Sequence, residues 1–87
     1  MSDYRKVKIK VKSVEGTCHA GHKPGDEWVV EAHTPEGLCV HAYSALDPMI
    51  RAFMFDASIP WLDEEGRLEL VCPDPDNPVV FTLEKMD

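Results

Sequence analysis

The sequence predicts an α+β fold: an antiparallel sheet of about four strands, in the order ββαββ, covered by one kinked helix. Three observations carry this. Residues 6 to 12, K-V-K-I-K-V-K, alternate strictly between apolar and charged, the period of a half-buried strand. One apolar segment, residues 38 to 55, repeats with helical period. Two further alternating segments, 67 to 72 and 79 to 83, flank a loop with three prolines. At 87 residues the chain is expected to form one domain, residues 1–87, with a single modest core.

In the first strand Val7, Ile9 and Val11 face inward, and Lys6, Lys8, Lys10 and Lys12 face outward. Residues 16 to 25 read as loop, with Pro24-Gly25 supplying a fixed φ followed by a permissive residue. Residues 27 to 32 read as a second strand with Trp28, Val30 and Ala32 inward. Thr34-Pro35-Glu36 reads as a helix start: a capping oxygen, proline at the first helical position, then an acid. Along the helix Cys39, Ala42, Tyr43, Leu46, Ile50 and Phe53 share one face. Asp47 and Arg51 are placed to pair across one turn. Pro48 is expected to kink the helix or restart it behind an Asp47 cap. Pro60-Trp61 is expected to pack, and Glu65-Gly66 to turn the chain. Leu68, Leu70 and Cys72 then face one way on a third strand, and Val79, Phe81 and Leu83 inward on a fourth.

Net charge is −7, unevenly spread. Arg5, Lys6, Lys8, Lys10 and Lys12 are five of the nine basic residues, and the rest of the chain from residue 13 is strongly acidic. Such a body argues against nucleic acid and anionic membranes as partners. The lysine stripe is read as protection of an edge strand against pairing with other chains, ahead of an anion-gathering role. No apolar run is long enough for a membrane span. Met1 to Lys6 show no export stretch, and Glu84 to Asp87 no lipidation motif, so a cytoplasmic location is expected. Three cysteines in a reducing compartment point to free, ligand-bound or reactive thiols and not to a disulfide framework. Nothing indicates a partner or an oligomeric state.

Three motifs stand out: T-C-H-A-G-H-K-P-G-D at 17 to 26, P-E-G-L-C at 35 to 39, and C-P-D-P-D-N-P-V-V-F at 72 to 81. Together they make the chain resemble a family of small uncharacterised prokaryotic proteins of about this length. The matching positions include Cys18, Gly21, His22, Lys23, Gly25, Asp26, Cys39, Cys72, Pro73 and Asp74, whereas His19 stands where that family more often has proline. The resemblance implies the same fold and no assigned substrate, cofactor or reaction.

The residues that could carry chemistry are Cys18, His22, Cys39 and Cys72. Three thiolates and one imidazole form a known structural zinc set. Only Cys18 and His22 are closely spaced, with Cys39 and Cys72 isolated, so the spacing signal is weak. An iron–sulfur cluster ranks below zinc, because cluster proteins keep cysteines within a few residues of one another. Two alternatives stay open beside the metal. All three cysteines could be structural, packing as small hydrophobes. The chain would then be a metal-free interaction or small-ligand module, its 21–26 and 72–75 loops lying over an apolar pocket lined by Trp28 or Trp61. Alternatively, Cys18 could be a nucleophile with His22 as its base. His41 is set aside: on a helix it would point about 200° from Cys39. His33, before the helix, reads as solvated. Asp63-Glu64-Glu65 lacks calcium-loop spacing and reads as a solvated turn, and Asp74 is expected to brace the proline loop.

Overall fold

A computed structural model describes residues 5 to 86. Met1 to Tyr4 and Asp87 lie outside the described residues, so the readings that rest on them stay with the sequence. The elements are β1 (Lys6–Val14), β2 (Glu27–Val30), α1 (Val40–Met54), β3 (Arg67–Val71) and β4 (Val79–Met86). The strands form one antiparallel sheet in the order β2-β1-β4-β3, and α1 packs on one face of it. This is the expected ββαββ α+β architecture.

Period-two alternation places Val7, Ile9 and Val11 of β1 beside Val79, Phe81 and Leu83 of β4, all buried under α1. Ala42, Leu46, Ile50 and Phe53 supply the helix side of the core, spaced so that each falls about one turn after the last. Leu68 and Val30 extend it onto the outer strands.

The lysine stripe lies elsewhere than expected. β1 is an interior strand, so its lysines protect no edge. They stand on the solvent face within reach of acids on β2, β3 and β4 and of Glu31 just after β2. Lys8 Nζ lies 3.5 Å from Glu27 and 3.9 Å from Glu84, Lys6 reaches Glu31 at 3.4 Å, and Lys12 pairs with Glu69. The strand order, which alternation cannot reveal, decides this role.

Four further expectations are corrected. The second strand ends at Val30, and Ala32 is exposed. The helix starts at Val40 and not at Thr34, because Glu36 and Gly37 form a turn with Gly37 at φ +85°. It also runs unbroken through Pro48, where no restart occurs. Pro48 offers no N–H to the Ser44 carbonyl, but both residues are exposed and water can serve that oxygen. Trp61, expected to pack, is 63% exposed. The Asp47–Arg51 pair forms as expected, at 3.0 Å.

Candidate functional site

One end of the sheet gathers three separate segments: the loop after β1, the start of α1 and the β3–β4 loop. The last of these is built by its own polar atoms. Asp74 Oδ1 accepts the amides of Asp76 and Asn77 at 3.1 and 3.2 Å, so Asp74 braces the proline loop as its sequence suggested. Burial works against ionisation there, but those two amides and the Asn77 side chain outweigh it and hold the Asp74 carboxyl below the usual range. Cys72 closes the base of the loop. Its amide donates to the Val79 carbonyl at 3.0 Å, and its Sγ accepts the Val79 amide at 3.3 Å.

Asn77 joins this loop to the one after β1. Its Oδ1 accepts the Thr17 amide at 2.9 Å, and Glu15 donates to the Pro78 carbonyl at 3.0 Å. Gly16 adopts φ +75°, and a Cβ there would overlap Asn77 Oδ1. Cys18 follows two residues on, in a turn closed by Gly21 N–H donating to the Cys18 carbonyl at 2.9 Å.

His22 ties this second loop to α1. It is 8% exposed, and its ring stands edge-on to Trp28 and Phe81, with centroids 4.9 and 6.2 Å away. Its Nε2 accepts the backbone amide of Cys39 at 3.0 Å. Cys39 is the N-cap of α1, with φ −56° and ψ 137°, and makes no side-chain cap of its own. The imidazole therefore serves the N-cap amide that a capping-box glutamate would otherwise take.

Between these segments lies a cavity of about 350 Å3. Cys18, Cys39 and Cys72 all border it, as does His22, so the sequence-derived set meets around one space. All three thiols are free and partly exposed. The floor is apolar: Ala42, Val79 and Phe81. Neither Trp28 nor Trp61 lines it, contrary to the expected pocket. His19 and His41 also border the cavity. Cys39 precedes the helix with ψ 137°, so the helical angle of about 200° does not separate it from His41. Among the described residues, no three of His, Cys, Asp and Glu stand arranged to hold a metal ion. The donors share one cavity without forming a ready coordination shell.

Sequence reasoning missed the Asn77 bridge and the capping role of His22. Neither had a local signal, since Asn77 acts on Thr17 and His22 on Cys39, residues remote in sequence. No protein-family model matches the chain, and no curated protein or solved structure matches it either. Among the described residues no helix is long and apolar enough to cross a membrane.

Proposed function

We propose that the cavity is a metal-binding site served by Cys18, Cys39 and Cys72, taking zinc ahead of an iron–sulfur cluster. The chain is then a small accessory module of a reducing compartment such as the cytoplasm. The observation that supports this is convergence: three cysteines 21 and 33 residues apart in sequence border one small cavity. Thiolate sulfur suits zinc, and the donor set is soft throughout. The Val79 N–H on Cys72 Sγ adds the kind of hydrogen bond found in the outer shell of metal–thiolate sites. Binding draws the side chains together from the arrangement described above, so occupancy and local stability rise together.

Elemental analysis of protein purified without an affinity metal tests the proposal. Near-stoichiometric metal, with thiols that titrate only after chelation, is expected. Less than about 0.2 metal per chain with all three thiols titratable contradicts it, because a resident site is filled.

A second reading is favoured by the apolar floor and by the use of His22 Nε2 within the fold. It makes the cavity a metal-free site for a small neutral ligand. Under it each Cys→Ser change costs only packing energy, about 1–2 kcal/mol, and the protein carries no metal.

A further inference from the structure

The four residues that the sequence groups as ligands are not equivalent in the fold. Three bring sulfur to the cavity. The fourth, His22, is buried edge-on against Trp28 and Phe81, with Nε2 holding the Cys39 amide at 3.0 Å. A neutral imidazole that accepts at Nε2 carries its proton on Nδ1. Neither nitrogen then has a lone pair free for a metal. Turning the ring to free one would strand the Cys39 amide and undo the aromatic packing.

We infer that His22 is a positioning residue for Cys39 and not a ligand. This rests on the metal reading above. His22 fixes the Cys39 backbone in its non-helical conformation, φ −56° and ψ 137°, and so sets the direction from which the Cys39 thiol enters the cavity. The chain then supplies three sulfur donors; His19 and His41, which also border the cavity, are exposed side chains, and the fourth coordination position is left to a ligand from outside. Zinc with three protein ligands and an open position is the arrangement of sites that bind or activate a further molecule. Among the described residues no lysine or arginine borders the cavity and Asp74 does, so a neutral donor such as an imidazole or water fits that position better than a phosphate.

Cobalt(II) in place of zinc, bound to the full chain, tests this. Its thiolate charge-transfer bands report sulfur ligation, and its d–d bands report the fourth ligand. His22→Gln keeps a side-chain acceptor for the Cys39 amide, whereas His22→Leu does not. The expected result is that His22→Gln retains wild-type bands and affinity. His22→Leu should weaken cobalt binding about 10- to 100-fold, as loss of an outer-shell partner does. Added free imidazole should shift the d–d bands of the wild-type complex. Circular dichroism establishes that each variant is folded, and His22→Gln decides the matter even if His22→Leu does not fold. A folded His22→Gln that loses the bands as fully as Cys39→Ser makes His22 a ligand and overturns the inference. Bands insensitive to imidazole mean that the chain itself fills the fourth position, and overturn it too. Wild-type protein that takes up no cobalt overturns the metal reading, and this inference with it.

Discussion

His22 Nε2 and the backbone nitrogen of Cys39 lie 3.0 Å apart, so a buried imidazole on one loop holds the N-cap of α1. Loss of that acceptor leaves a part-buried amide without a partner. His22→Leu should therefore destabilise the metal-free protein by about 1–3 kcal/mol in urea denaturation, and His22→Gln by clearly less. Equal stability of His22→Leu and wild type would remove the cap from the account.

Gly16 and Asn77 should behave as a unit. Gly16→Ala adds a left-handed backbone penalty of about 1–2 kcal/mol and pushes into the Asn77 amide. Asn77→Ala removes the acceptor for Thr17. Because the two changes damage the same bridge, the double variant should lose less stability than the two single losses added together. Strict additivity in a double-mutant cycle would show that the loops are joined by something else.

Neighbouring residues of β1 should differ sharply. Ile9 is fully buried against Leu83, and Ile9→Ala should cost about 2–5 kcal/mol. Lys8, one residue away on the solvent face, has only part-exposed ion pairs with Glu27 and Glu84. Its replacement by alanine should cost at most about 1 kcal/mol, and less in high salt. Chemical denaturation of both variants measures the contrast.

The fold was largely legible because its signals are local. Alternation in 6–12 and 79–83 names the inward residues, and helical spacing names Ala42, Leu46, Ile50 and Phe53. Of what failed, the neighbours of a strand are non-local information, whereas the helix start turned on two competing local signals. Nothing in K-V-K-I-K-V-K says which strands flank it, so its lysines read as an edge. Thr34-Pro35 suits a helix cap, but Gly37 turns the chain first. At the site, the three cysteines singled out by type and scarcity border one cavity. The cap that His22 places on Cys39 is not legible, because it lies in one hydrogen bond spanning 17 residues.

Acid should weaken the protein through specific carboxylates. The Arg67 amide above all holds the Asp63 carboxyl below the usual range; partial desolvation opposes this, and the Glu65 amide and Arg67 guanidinium reinforce it. A carboxyl depressed in the folded state contributes stability that is complete above its unfolded pKa and is lost as pH falls through the folded value. Between about pH 5 and about pH 2, wild type should thus lose more stability than Asp63→Asn. The variant should keep part of the acid response, since Asp56, held mainly by Lys85, and Asp74 are depressed as well. Parallel pH profiles for the two proteins would show that Asp63 contributes nothing to acid unfolding.

X-ray absorption at the zinc edge of the zinc-loaded protein bears most directly on the convergence of Cys18, Cys39 and Cys72. Three sulfur scatterers at about 2.3 Å are predicted, falling to two in each single Cys→Ser variant. A first shell of nitrogen and oxygen alone would contradict a thiolate site in this cavity.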